Sequence, residues 1–433
     1  MDANDPVCLK CIGDVELRCL LSESATRAVC ASCGKRRQAV SLRDIALRVD
    51  EIYREYYEPG EEIARFYPDS DNPQYEQEGD PPDQVIQAMA DVEPDIAEAI
   101  GRCLHDDEWP SVAKDGASAS FDDSSRYVER DLPPIELELE WEEFCRRVQH
   151  QSRFFDDEAR RILARILGDR TSIASPDNPI SRCIAVLKKG ERLFRARRTD
   201  TKATAERILG NPHTELGPPP PHLAPSGRMN PSGIAVFYGG GSEAVCVAEV
   251  RPDVGGCVVV GQFQTTRRLR LLDLTLVGQR WFPGSMFRSD YYERTTKRRF
   301  LLRFENLISR AVQPHEEAIK YVPTQVVAEY ISNVLGLDGI LYASAQLGEV
   351  RDEDDEPPDR TTLNVALFNR ASAVAGARSR PARRAQSPQG MIPPMNWEEG
   401  PDLDPLQSPS LRFVRNSARI VRITGINVSY EQE

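Results

Sequence analysis

A chain of 433 residues with 40% apolar, 7% aromatic and 28% charged residues is long enough for two or three cored domains, which excludes a peptide hormone, a collagen and a wholly disordered chain. No window approaches the roughly 18 consecutive apolar residues of a membrane span, and the start Met1-Asp2-Ala3-Asn4-Asp5-Pro6 lacks the basic and apolar regions of a signal peptide, so a cytoplasmic location without membrane contact is expected. The net charge of −13 is uneven: residues 50–143 hold 29 acids against 6 bases, −23 in all, and the remaining +10 marks the rest of the chain as the part suited to a polyanion such as a dinucleotide.

Ten cysteines in a chain of this length do not make a disulfide scaffold, which would be shorter and denser. Four of them form two pairs, Cys8-Leu9-Lys10-Cys11 and Cys30-Ala31-Ser32-Cys33, separated by 18 residues. Two residues between cysteines let both sulfurs face one point, and a loop of that length brings the second pair round to complete a tetrahedral zinc site with bonds of about 2.3 Å. Gly34 fits the tight turn of such a knuckle, and Lys35-Arg36-Arg37 would offset the excess negative charge of four thiolates. Four thiolates leave no open position, so the expected Zn2+ is structural. Cys19 is a poorer ligand candidate, and Cys103, Cys145, Cys183, Cys246 and Cys257 read as small buried hydrophobes.

After the knuckles, Ser41 followed by Asp44 resembles a capping box, and apolar residues at 42, 45, 46, 49 and 52 predict a helix. Residues 67–83, with Pro68, Pro73, Pro81 and Pro82, read as a surface loop, and helical periodicity returns at 83–104 and 141–168. Beyond residue 183, β-rich runs appear at 193–197, 234–238, 257–263, 269–274 and 339–342, with helices at 242–250 and 324–335 between them. Seven prolines among Arg, Ser, Ala and Gly mark 371–409 as a flexible insertion, after which residues 412–414 and 418–423 resume a strand pattern. The expected fold class is α+β: a zinc knuckle at 1–37, an acidic helical domain at 38–180 and a mixed α/β domain at 181–433.

The sequence Ser226-Gly227-Arg228-Met229-Asn230-Pro231-Ser232-Gly233-Ile234-Ala235-Val236-Phe237-Tyr238, followed by Glu243 to Arg251, resembles the RES family. The likeness continues through Thr324 to Tyr330 and Gly339 to Ser344 as far as Asn364-Val365-Ala366-Leu367-Phe368. RES proteins are typically toxins of bacterial toxin–antitoxin systems that degrade NAD+ on a fold like the ADP-ribosyltransferases. The front half, with its cysteine pairs and Phe144 to Phe155, resembles the HEPN-type domain that precedes RES in one subfamily. The resemblance implies catalytic roles for Arg195, Tyr238, Glu249 and Ser344, and dinucleotide contacts from Arg195, Arg228, Asn230 and Tyr238. Two departures stand out: Gly239-Gly240-Gly241, where relatives carry bulkier residues, and the acidic run Glu349 to Asp359.

The chemistry suits these residue types. Cleavage of the nicotinamide–ribose bond passes through an oxocarbenium-like transition state that needs a nearby carboxylate, here Glu249. The pyrophosphate calls for a planar guanidinium from Arg195 or Arg228, Tyr238 offers a ring to the nicotinamide, and Ser344 a hydroxyl to the ribose or the nucleophile. Arg195 and Arg197 are expected to point to opposite faces of a strand, so that only one enters a pocket. The expected partners are NAD+, an antitoxin protein and a second copy of the chain in a homodimer. The alternatives are an ADP-ribosyltransferase that modifies a macromolecule and a non-catalytic regulator that binds NAD+ or ADP-ribose. Many HEPN domains are ribonucleases with an Arg and a His four to six residues apart; Arg146 and Arg147 stand too close to His150 for that, and the −23 charge argues against direct binding of nucleic acid.

Overall fold

The computed structural model describes residues 1–65, 73–115, 121–122, 124–175, 178–309, 312–313, 315–344, 358–376 and 408–425. The chain is mixed α+β and divides into two compact units, Met1–Pro133 with Pro283–Thr296 and Pro134–Phe282 with Lys297–Glu433. No helix among the described residues is long and apolar enough to cross a membrane.

The first unit opens with a small antiparallel sheet, β1 (Pro6–Cys8), β2 (Thr26–Val29) and β3 (Arg36–Ser41), in the order β1-β3-β2, with α1 (Val15–Ser22) between β1 and β2. Ser41 caps α2 (Leu42–Tyr56) as its spacing to Asp44 predicts: its hydroxyl accepts from the Asp44 backbone N–H at 3.1 Å and donates to the Asp44 carboxylate at 2.7 Å. The face Leu42, Ile45, Ala46, Val49, Tyr53 and Tyr56 is buried, against α3 (Pro82–Ala90) and α4 (Pro94–Asp115) among others. The periodicity at 83–104 therefore belongs to two helices, parted at Asp91, whose φ of 48° ends α3 in the left-handed region. Short strands complete the unit: β4 (Tyr57–Pro59) pairs with β7 (Tyr127–Glu129), and β5 (Glu62–Arg65) with β6 (Gln74–Gln77). The last of these lies in the stretch read as loop. Its side chains are largely exposed, so no burial pattern marked it.

The second unit begins with α5 (Ile135–His150) and α6 (Asp157–Leu167), again two helices where the periodicity ran on, separated by Phe155 at a φ of 56°. This places residues 134–180 with the sheet that follows. Its strands are β8 (Ile184–Leu187), β9 (Arg192–Thr199), β10 (Phe237–Gly240), β11 (Cys257–Thr265), β12 (Leu269–Asp273), β13 (Gly339–Ala343), β14 (Leu363–Leu367), β15 (Leu411–Phe413) and β16 (Arg419–Arg422). The order is β15-β11-β9-β10-β14-β13-β12-β8, with β16 also on β11, and among the described strands only β12 and β13 pair in parallel. The helices are α7 (Lys202–Gly210), α8 (Pro212–Glu215), α9 (Glu243–Glu249), α10 (Tyr291–Ser309, of which the unit holds Lys297 onward), α11 (Glu317–Lys320), α12 (Val322–Asn333) and α13 (Asn369–Ser372).

Both faces of the central strands are covered. Leu272, Ile340, Tyr342 and Ala366 enter one core with Trp141, Phe144, Ile162, Phe304 and Ile331, whereas Leu271, Leu341, Val365 and Leu367 enter the other with Ala205, Ile208 and Phe263. Alternation by one residue sends neighbours to opposite cores, which is why β13 and β14 read as unbroken apolar runs. A polar residue in such a run is conspicuous, and Asn364 is one. Of the insertion expected at 371–409, Ala371 and Ser372 close α13, while 377–407 lie outside the described residues, as do 349–357 of the acidic run.

Candidate functional site

In the first unit the two cysteine pairs converge. Cys8 ends β1, Cys11 ends a single helical turn, Cys30 follows β2, and Cys33 lies in the turn that Gly34 closes at a φ of 69°. The Sγ atoms lie 3.6 Å apart for Cys8 and Cys11, 3.7 Å for Cys8 and Cys33, and 3.9 Å for Cys11 and Cys30. A tetrahedron with Zn–S bonds of about 2.3 Å has edges of about 3.8 Å, so the four sulfurs stand at the spacing of a metal cage and too far apart for disulfides. They can hold a metal ion such as zinc. The Cys8 backbone N–H donates to the Cys30 sulfur at 3.3 Å, the type of contact that steadies a thiolate ligand. Cys19 is exposed on α1 and outside the cluster. Burial pushes the thiols of Cys145, Cys183 and Cys246 up to about 12, as befits packed, unreactive cysteines.

The second constellation lies at the ends of the central strands. Glu249 is the last residue of α9, and its Oε1 accepts two hydrogen bonds of 2.7 Å, one from the hydroxyl of Ser344, directly after β13, and one from the amide of Asn364 on β14. Both donors are 3% exposed, whereas Glu249 itself is exposed. In the register Asn364 stands opposite Tyr342 on one side and Gly240 on the other. Gly239, Gly240 and Gly241 have no room for side chains: a Cβ would come within 2.6 Å of the Phe194 carbonyl, 3.0 Å of the Cys246 sulfur and 2.0 Å of the Arg360 carbonyl respectively. The three glycines let β9, α9 and the approach to β14 close in on β10.

Strands β9 and β10 share one register pair, Phe194 with Gly240. Beside it the Arg195 guanidinium carbon lies 5.1 Å from the centre of the Phe237 ring. Its Nη1 is buried and makes no hydrogen bond. Burial lowers its pKa to about 10, with the neighbouring charge of Arg197 acting the same way. Arg195 and Arg197 do not point to opposite faces as expected: residues two apart on a strand share a face, and what separates them is Glu215, which draws the Arg197 guanidinium aside to its carbonyl at 2.9 Å and its carboxylate at 3.2 Å.

Tyr238 is held through its hydroxyl, which donates to Asn230 Oδ1 at 2.7 Å and accepts from the Met229 N–H at 2.9 Å. Asn230 is 3% exposed and its amide donates to the carbonyls of Pro225, Pro231 and Ile234, so its side chain braces the 225–234 turn. Arg228 donates to the Ile308 carbonyl and lies over the Tyr321 ring at 5.6 Å. Tyr342 is driven well above its ordinary pKa by burial first and by the charge of Glu249 next, with Arg228 acting against them. The structure thus gathers Arg195, Arg228, Tyr238, Glu249 and Ser344 into one neighbourhood and adds Asn364 and Tyr342.

The front-half arginines have other occupations. Arg146 forks onto Glu143, and Arg147 grips both carboxylate oxygens of Asp156 at 2.9 and 3.1 Å. Asp156 also caps α6 by accepting from the Ala159 N–H. Asp156→Ala removes a cap and takes from Arg147 its two-point partner, leaving it the longer ion pair to Glu143 at 3.7 Å; it is expected to cost about 2 kcal/mol, read as a lower thermal midpoint.

Residues 192–388 match the RES domain, and residues 23–161 match HEPN/RES N-terminal domain 1. No curated protein and no solved structure matches the chain. Arg195, Arg228, Tyr238, Glu249, Ser344 and Asn364 all lie in the RES match, while Cys30 and Cys33 fall inside the N-terminal match and Cys8 and Cys11 before it. The chain carries a RES domain preceded by an HEPN/RES N-terminal domain, a combination consistent with a toxin–antitoxin-type protein.

Proposed function

From a chain with this pair of domains, we propose an enzyme that consumes NAD+ by breaking the nicotinamide–ribose bond, as a glycohydrolase or phosphorylase, and that arrests growth until an antitoxin binds it. Glu249 is the observation that carries the reading: an exposed carboxylate anchored through one oxygen by two buried donors. When the glycosidic bond breaks, its electron pair passes to the nicotinamide nitrogen, which leaves neutral and needs no acid. The positive charge left on the ribose is stabilised by the carboxylate, and water or phosphate then adds to the sugar carbon.

Arg195 supports the same reading. A desolvated cation with an unbonded N–H is an uncompensated cost that a phosphate oxygen would relieve. The Tyr238 hydroxyl is bonded on both sides, which fixes its partly buried ring in one orientation for the nicotinamide to stack on. Asn230 acts by bracing the turn that carries Arg228, and the four cysteines hold a structural zinc ion.

The reading predicts a trade-off at Arg195. Arg195→Met fills the same space without the buried charge, so the thermal midpoint should hold or rise while KM for NAD+ rises by on the order of tenfold to a hundredfold. Calorimetry and initial-rate kinetics with NAD+ test it, and an unchanged KM removes Arg195 from the phosphate site. The activity itself is tested by release of nicotinamide from NAD+ by the purified chain.

A further inference from the structure

We propose that Asn364 is a positioning residue for this reaction, holding Glu249 together with Ser344 by one oxygen so that the other oxygen is presented to the ribose. The inference rests on the NAD+-cleaving reading and deepens it.

Asn364 is an amide in a strand whose five residues are all buried and otherwise apolar, Leu363-Asn364-Val365-Ala366-Leu367. A leucine or valine there would complete the core without the cost of desolvating an amide, so the amide must be compensated by a specific partner. The partner is neither a strand neighbour nor a turn: the side chain reaches 115 residues back along the chain to Glu249. Ser344 reaches the same carboxylate from the adjacent strand end. Both donors choose Oε1, and among the described residues no hydrogen bond reaches Oε2. A carboxylate that served only to fasten α9 to the sheet would gain by using both oxygens. This one is fixed in direction with one oxygen left over on an exposed side chain. Gly240, opposite Asn364 in the register, leaves the space that lets α9 approach closely enough, since a Cβ there would meet Val245 and Cys246 at 3.0 Å.

The test is the steady-state kinetics of NAD+ cleavage by the full chain in the wild type and in Asn364→Leu, which matches the shape of asparagine and removes the donor. The expected result is a kcat lower by on the order of tenfold to a hundredfold with a KM within about twofold, because the carboxylate loses its direction while the contacts that bind the dinucleotide remain. Asn364→Asp is a second variant that keeps the side-chain shape and replaces the donor by a like charge beside Glu249, and it should show the same split. A wild-type kcat in both variants, or a kcat and KM that worsen together, overturns the positioning role. A wild-type chain that leaves NAD+ intact overturns the reading beneath it as well.

Discussion

Glu249→Gln is expected to lower NAD+ turnover by on the order of a hundredfold or more and to leave the thermal midpoint unchanged. The glutamine carbonyl can still accept from Ser344 and Asn364, so the tie between α9 and the strand ends survives. What disappears is the negative charge facing the ribosyl cation, and that charge matters most in the transition state, so kcat should fall far more than KM rises. Because Glu249 is exposed, replacing its charge removes no buried ion and leaves none unpaired. A folded Glu249→Gln variant with undiminished turnover would show that the carboxylate takes no part.

The second large effect is expected at the cysteines. The strands β1, β2 and β3 are three to six residues long; Val7 and Val40 pack into the main core of the first unit, but the cluster beside the sulfurs consists only of Cys8, Cys30 and Ala39 with Cys11 and Ala28 against it, little apolar surface for that side of the sheet. A metal bound there would supply much of the cohesion of that side, since structural zinc sites contribute roughly 10 kcal/mol or more in small modules. Elemental analysis should find one zinc ion per chain. Cys30→Ser, or treatment with a strong chelator, should release it and lower the thermal midpoint of the first unit by many degrees. Cys19→Ser, at an exposed position outside the cluster, should do neither. Absence of metal, or a Cys30→Ser variant with unchanged metal content and stability, contradicts the site.

Much of this was legible in the sequence, for identifiable reasons. The spacing within and between the cysteine pairs is a local constraint and named the four cysteines that the structure brings together. Runs such as Gly339 to Tyr342 declare strands buried on both faces, and Gly336, at a φ of 72°, follows the helix it was expected to end. Helix boundaries were harder: Asp91 and Phe155 break α3 and α5 from their successors in left-handed conformations without a glycine to announce it. The helix Tyr291–Ser309 escaped because Arg298, Arg299 and Arg303 interrupt its apolar residues. At the site, resemblance led to Glu249 and Ser344, but strand periodicity cannot tell Arg195 from Arg197, since the distinction lies in Glu215 on a helix elsewhere. Asn364 stood inside the matched segment. Its signal was a lone amide in an apolar strand, which acquires meaning only once α9 is seen to lie across it.

The central claim is tested most directly by incubating the purified full chain, freed of any bound partner, with NAD+ and identifying both products. Nicotinamide should appear in step with the loss of NAD+, together with ADP-ribose in plain buffer or its 1-phosphate in phosphate, and Glu249→Gln should slow both. NAD+ that remains intact with a folded wild-type chain would contradict the account and leave the site as a place that binds the dinucleotide without cleaving it.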